Sequence, residues 1–122
     1  MTLYFRLLTL VIGISVCAAS ATAKAEEIIN IGVLAAMSGP FAEYGLDARR
    51  GAEMALAEFE GRAGGKPVRL VFEAAEGAPE GVAERAQKLL TEGGAEIVIG
   101  PLSGGEGRAL KDFAKSVPAV TF

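Results

Sequence analysis

The sequence predicts an α/β fold: a parallel sheet with helices on both faces. Two observations predict it. Apolar runs of strand length alternate with segments whose apolar residues recur at helical spacing, and short Gly- and Pro-containing turns separate them. If every crossover is right-handed, the economical strand order is 2-1-3-4.

The first strand is predicted over residues 28–37, "IINIGVLAAM", a continuous apolar run typical of a strand buried on both faces. Gly39 and Pro40 then interrupt the run with a turn signal. This pattern predicts a buried strand at the centre of the sheet.

The first helix is predicted over about residues 44–60. Its apolar residues fall on one face, which we expect to be buried. They are Ala48, Ala52, Ala55, Leu56 and Phe59. Gly51 lies beside this face, and its missing side chain predicts a close approach of the helix to the sheet.

The second unit begins with "PVRLVFEAA", whose alternating pattern predicts a strand nearer the sheet edge. A helix follows, with Pro79 predicted at its first position, where a missing N–H costs nothing. Its predicted buried residues are Val82, Ala83, Ala86, Leu89 and Leu90.

The third strand is predicted in "AEIVIG" and the third helix over about residues 104–116, with Leu110, Phe113 and Ala114 buried. A fourth strand is predicted from "VPAVTF", where the sequence ends. We therefore expect residues 26–122 to be the N-terminal part of a longer domain. The alternative is a complete four-stranded unit with one apolar strand poorly covered.

The first 25 residues have the pattern of a secretory signal peptide. A positive Arg6 precedes the apolar run "LLTLVIGISVCAAS", and small residues allow cleavage after Ala25 or Ala23. The alternative is an uncleaved N-terminal anchor. Cleavage would remove Cys17, the one cysteine, and would leave an exported, periplasmic chain that cannot form a disulfide.

Composition argues against several function classes. Without residues 1–25, ten basic residues stand against fifteen acidic ones, a net charge of about −5, which disfavours nucleic-acid binding. The chain has no histidine, and its two aspartates lie in predicted helices. We therefore expect no metal site, no cofactor and no enzymatic activity.

The predicted strand order places a crevice between the loops that leave strands 1 and 3, at residues 38–45 and 101–107. In the second loop, Gly104 and Gly105 offer N–H groups at a helix start, which favours an anion. No lysine follows these glycines as a phosphate loop requires, and Glu106 would repel a multiply charged phosphate. A single carboxylate is the more compatible ligand.

Both sides of this crevice allow a purely structural interpretation. Ser103 and Glu106 form the S-x-x-E pattern of a capping box, so they could serve only to begin the third helix. Tyr44, in the first loop, could pack on the surface rather than contact a ligand.

Two stretches resemble the type I periplasmic binding proteins, in particular the branched-chain amino-acid (leucine/isoleucine/valine) binding group of ABC importers. The first is "IGVLAAMSGPFAEYGLDARRGAEMAL", and the second is "KLLTEGGAEIVIGPLSGGEG". The resemblance spans essentially all of residues 26–122 and implies the first part of lobe one of a two-lobed protein that closes on its ligand.

The resemblance also implies site residues and partners. Tyr44 would lie against the ligand, while Ser103, Gly104 and Gly105 would receive the α-carboxylate of an amino acid. Many relatives have a hydroxyl where this chain has Gly105. The implied partner is an ABC permease of the inner membrane. Two other functions stay open: the sensing domain of a signalling receptor, and an exported enzyme with its catalytic residues further along the chain.

Overall fold

The computed structural model describes residues 26–117, which form one four-stranded sheet and three α-helices. A 3₁₀ turn at Gly39–Phe41 precedes the first α-helix. The elements are β1 (Ile29–Ala36), α1 (Ala42–Glu58), β2 (Arg62–Ala63), β3 (Lys66–Ala75), α2 (Val82–Thr91), β4 (Ile97–Ile99) and α3 (Gly104–Ser116).

The sheet order is β2-β3-β1-β4, and β1 pairs in parallel with both β3 and β4. Ile31 is in register with Leu70 on one side and with Ile97 on the other. The predicted strands 1, 2 and 3 correspond to β1, β3 and β4, so their predicted order is confirmed. Residues 118–122, the greater part of the predicted fourth strand, lie outside the described residues.

The short strand β2 is a feature that the sequence prediction missed. It pairs antiparallel with β3 through Arg62 and Ala63, so the sheet is not wholly parallel. Gly64 and Gly65 form the two-residue turn between them, with φ of 57° and 81°. Positive φ at both turn residues matches the twist of an antiparallel hairpin. The two glycines therefore form a hairpin turn shortly after the end of α1.

The core lies between the sheet and the α2–α3 pair. Leu34 of β1 and Val98 of β4 are almost fully buried there, against Leu89 of α2 and Leu110 of α3. All the predicted buried residues of these two helices are buried or half-buried, as the periodicity predicted. On this face of the sheet, the apolar contacts form one continuous cluster.

The opposite face carries α1, whose first turn lies directly on β1. A Cβ added to Gly45 would lie 1.6 Å from the carbonyl oxygen of Ala36, so only glycine fits there. The corresponding prediction for Gly51 was wrong, since nothing lies within 4 Å of its added Cβ. The close approach is instead at the carboxyl end of β1, against Gly45 near the start of α1.

The apolar side of α1 is less buried than predicted. Ala55 and Phe59 are exposed, and an apolar groove of about 260 Å³ separates the last turns of α1 from the sheet. Ile31, Leu70 and Ile99 line its floor. The helical periodicity correctly identified the side of α1 that faces the sheet, but not how closely the two approach.

The start of α2 also differs from the prediction, because Pro79 is not its first residue. The helix begins at Val82, after Gly81 with φ of 76°. A right-handed helix cannot include a residue at that φ, so it can begin only after Gly81. Pro79 instead packs toward Gly105, whose added Cβ would lie 3.3 Å from the proline Cγ.

Candidate functional site

The strand order reverses between β1 and β4. From β1 the chain passes through α1 to β3 on one side, and from β3 it crosses through α2 to β4 on the other. The loops that follow β1 and β4 therefore leave the carboxyl ends of two neighbouring strands in opposite directions. In open parallel sheets, ligands bind at this point.

The loop after β4 begins with a glycine that the fold requires. Gly100 has φ of 107°, and its added Cβ would lie 2.2 Å from the carbonyl oxygen of Leu34. Any side chain there would meet the backbone of β1. This contact fixes where the loop leaves the sheet.

The capping box predicted at Ser103 and Glu106 is present at the start of α3. The N–H of Glu106 donates to Ser103 Oγ at 3.2 Å, and the N–H of Ser103 donates to Glu106 Oε2 at 3.4 Å. No hydrogen bond within residues 26–117 uses the N–H of Gly104 or Gly105. Both N–H groups therefore remain available at the positive end of the α3 dipole.

Glu106 does more than the capping pattern requires. Only 1% of its surface is exposed, and its Oε1 accepts a hydrogen bond of 3.0 Å from the N–H of Gly77 in the loop after β3. Its Oε2 also accepts from the hydroxyl of Ser103 at 2.9 Å. Glu106 thus connects two loops at the carboxyl end of the sheet.

A third loop meets the first two at Gly77. This residue has φ of 80°, and its added Cβ would lie 2.6 Å from Cδ2 of Phe41 in the loop after β1. Gly77 therefore lies between Phe41 and Glu106. Phe41 and Gly77 were not among the predicted site residues, and the only sequence signal for Gly77 is a glycine two residues after the second predicted strand.

Tyr44 lies in the first turn of α1 with 64% of its surface exposed. Ser103 and Gly105 are half-buried and Gly104 is exposed. Within residues 26–117, no hydrogen bond joins Tyr44 to the loop that contains these three residues. A role for Tyr44 in binding stays a prediction.

The resolved pKa shifts belong to surface ion pairs. A hydrogen bond from Lys88 to Glu73, at 2.6 Å, raises the pKa of Lys88, and a hydrogen bond from Lys115 lowers the pKa of Asp112. Across residues 26–117, no cluster of three or more potential metal ligands occurs, and no helix is long and apolar enough to cross a membrane.

Comparison with solved structures finds several that are similar over most of this chain. An ABC transporter substrate-binding protein from Sphaerobacter thermophilus is 30% identical, with a TM-score of 0.71 over 77% of this chain and 26% of its own. A solute-binding protein from R. palustris, in complex with benzoate, is 27% identical, with a TM-score of 0.70 over 77% of this chain and 27% of its own.

A third similar structure is the branched-chain amino acid transporter substrate binding protein LivJ from Streptococcus pneumoniae, in complex with isoleucine. It is 26% identical, with a TM-score of 0.68 over 79% of this chain and 30% of its own. This chain therefore spans little more than a quarter of the length of these relatives. A search of curated proteins found no match.

The fold of residues 26–117 is thus that of a part of these substrate-binding proteins. The family model described as periplasmic binding protein matches residues 28–121, nearly everything after the predicted signal peptide. The chain belongs to the periplasmic binding protein family.

Proposed function

We propose that this chain is the N-terminal part of an extracytoplasmic solute-binding protein. It binds a branched-chain amino acid or a related small carboxylate and delivers it to an ABC permease. Family membership supports the transport role. The observation that carries the choice of ligand is the pair of unpartnered N–H groups, on Gly104 and Gly105, at the strand-order reversal.

The ligands of two relatives support a carboxylate. One relative is in complex with benzoate and another with isoleucine. Benzoate has an aromatic ring and no ammonium group, whereas isoleucine has an ammonium group and no ring. Both molecules have a carboxylate. A site built from backbone N–H groups recognises this shared group, and leaves side chains elsewhere to distinguish the remainder of the ligand.

Tyr44 provides the opposite side of the proposed site. Its ring is largely exposed in the first turn of α1, which follows the loop after β1. An exposed aromatic ring at the edge of a crevice can cover the apolar part of a small ligand. Ser103 begins the turn that presents the two glycine N–H groups.

We also propose that residues 1–25 are a cleaved signal peptide and that residues 26–122 belong to lobe one. N-terminal sequencing of the exported protein tests the first proposal. The mature chain should begin at Glu26, or at Lys24 if cleavage follows Ala23. A protein that keeps Met1 after export would contradict it. Sequencing the gene past the codon for Phe122 tests the second.

The ligand proposal is tested by calorimetric titration of a protein in which this chain is joined to a second lobe. Isoleucine, benzoate and inorganic phosphate are titrated separately. We expect saturable binding of at least one of the two carboxylates and none of phosphate, because Glu106 adds negative charge in the first turn of α3.

Saturable binding of phosphate without either carboxylate would contradict the proposed ligand class. Isoleucinamide, which lacks the carboxylate and keeps the side chain and ammonium group, is the matched control for isoleucine. If isoleucine binds, the amide should bind at least about tenfold more weakly, since hydrogen bonds to charged groups are the stronger ones. Equal affinities would mean that no carboxylate is recognised.

A further inference from the structure

We propose that Glu106 is the positioning residue of this site: it joins the loops after β3 and β4 and keeps the Ser103 hydroxyl inside the protein. The ligand would then be held by the backbone N–H groups of Gly104 and Gly105. The part about the ligand rests on the proposed function, whereas the connection between the loops does not.

The side chain of Glu106 reaches beyond its own helical turn. A helix cap requires Glu106 only to accept from the N–H of Ser103, which it does through Oε2. Its other oxygen, Oε1, accepts from the N–H of Gly77, 29 residues earlier in the chain. Capping alone gives no reason for this second bond, which joins two loops that only the tertiary fold brings together.

Glu106 is almost fully buried, and no Lys or Arg within residues 26–117 forms an ion pair with it. Burying an unpaired carboxylate is costly unless donors surround it. Hydrogen bonds from the N–H groups of Gly77 and Ser103 meet that need and set the positions of their donors, and the Ser103 hydroxyl lies 2.9 Å from Oε2 as a third possible donor.

The Ser103 hydroxyl has a single proton. It donates to Glu106 Oε2 at 2.9 Å or to the carbonyl oxygen of Gly77 at 3.3 Å. The same hydroxyl accepts from the N–H of Glu106. In either orientation its proton stays within the protein, so this hydroxyl has none to donate to a ligand carboxylate. The donors that remain are the N–H groups of Gly104 and Gly105.

Gly77 also connects Glu106 to the loop after β1. Its missing side chain lets the ring of Phe41 lie against it, while its N–H is held by Glu106. All three loops at the carboxyl end of the sheet therefore meet at one residue. A shift of Glu106 would move both sides of the crevice.

Amide hydrogen exchange of the mature chain, measured by NMR without ligand, tests the connection. Gly77 should be protected in the unsubstituted chain. Glu106→Asp keeps the charge but is one methylene shorter, so exchange at Gly77 should become at least about tenfold faster. Glu106→Gln keeps the reach and one acceptor oxygen, but its NH₂ group replaces an oxygen that faces a donor, so exchange at Gly77 should become faster by less than in Glu106→Asp.

Ser103→Ala is the matched control, because it removes the cap hydroxyl and leaves the bond from Gly77 to Glu106 in place. It should speed exchange in the first turn of α3, and should speed exchange at Gly77 less than Glu106→Asp does. An unprotected Gly77 in the unsubstituted chain would overturn the inference without any variant, and so would equal protection in Glu106→Asp.

Binding of isoleucine and benzoate to the two-lobed protein tests the ligand part. Glu106→Asp should weaken binding at least about tenfold, and Ser103→Ala should weaken it less than Glu106→Asp does, because it removes the helix cap but no donor to the ligand. Loss of binding in Ser103→Ala with full binding in Glu106→Asp would overturn the ligand part of the inference. If the unsubstituted protein binds neither carboxylate, the proposed function fails, and the exchange experiment still decides the role of Glu106.

Discussion

At the scale of single residues, Ser103 and Glu106 show how one sequence pattern can carry two roles. The S-x-x-E spacing predicted the capping box, which is present. The same carboxylate also accepts a hydrogen bond from the N–H of Gly77, and no local sequence pattern predicts that bond. Local spacing describes what a side chain does within its own turn, whereas its distant partners depend on how the loops meet.

Tyr44 is the residue whose proposed role is simplest to isolate. In a two-lobed protein, Tyr44→Ala should weaken carboxylate binding by about tenfold, since an aromatic contact contributes on the order of 1 kcal/mol beyond its buried area. The unfolding free energy should change by less than about 0.5 kcal/mol, because most of the residue is exposed. Calorimetric titration and urea unfolding measure the two quantities.

The control for this variant is Tyr44→Phe, which keeps the ring and should keep most of the affinity. An unchanged Kd in Tyr44→Ala would remove Tyr44 from the site. A large loss in Tyr44→Phe would instead assign the hydroxyl, rather than the ring, to the ligand.

The ion pair between Lys88 and Glu73 predicts how part of the stability of the fold depends on pH. The hydrogen bond from Lys88 to Glu73 raises the pKa of Lys88, so the folded-state value lies above the unfolded-state value. The pair therefore stabilises the fold below the unfolded-state pKa of about 10.4, and this contribution is lost as the pH rises through the folded-state value. Glu73→Gln should lower the pKa of Lys88, as measured by NMR titration of its side chain.

Glu92→Gln is the matched control for this titration. Glu92 also raises the pKa of Lys88, but only through a smaller long-range charge effect. Its removal should therefore shift the pKa of Lys88 less than Glu73→Gln does. Equal shifts in the two variants would show that the hydrogen bond is not the main cause.

At the scale of elements, two glycines of α1 make a natural comparison. Gly45 lies against the backbone of Ala36, and Gly51 faces open space in the same helix. Gly45→Ala should destabilise the chain by about 3 kcal/mol or more, because the new methyl group would overlap a carbonyl group. Gly51→Ala should stabilise it by roughly 0.5–1 kcal/mol through helix propensity.

Urea unfolding of both variants measures these changes. The same substitution should lower the unfolding free energy at Gly45 and raise it at Gly51. The comparison therefore separates the effect of packing from that of helix propensity. If Gly45→Ala were as stable as the unsubstituted chain, α1 could not lie on β1 as described.

Periodicity predicted the elements well and their contacts less well. The predicted bounds of α3, residues 104–116, are those observed, and the order of the first three predicted strands is correct. Two features depended on backbone angles that a sequence pattern does not specify. They are the β2 hairpin and the start of α2 after Gly81.

At the scale of the whole molecule, the two faces of the sheet are covered unequally. The face toward α2 and α3 holds the continuous core, whereas Ile97 and Ile99 on the other face are 38% and 50% exposed. Next to them lies the apolar groove beneath α1. An apolar surface of this kind is typical of a face that further protein covers.

The 122-residue chain by itself should bind leucine negligibly. The proposed site has donors on one side only, and the resemblance implies that a second lobe closes over the ligand and excludes water. Calorimetric titration of the chain with leucine should show no saturable heat. Binding by the chain alone with a Kd on the order of 1 μM would contradict the two-lobed site.

The sequence by itself determined the α/β class, the order of the three main strands, the cap of α3 and the family resemblance. Each of these depends on local periodicity, on turn residues or on the handedness of crossovers, which short stretches encode. Only the tertiary structure decided that Gly45 rather than Gly51 touches the sheet, and that Gly77 joins Phe41 to Glu106. Those contacts connect residues far apart in the chain, and their distances depend on how whole elements pack.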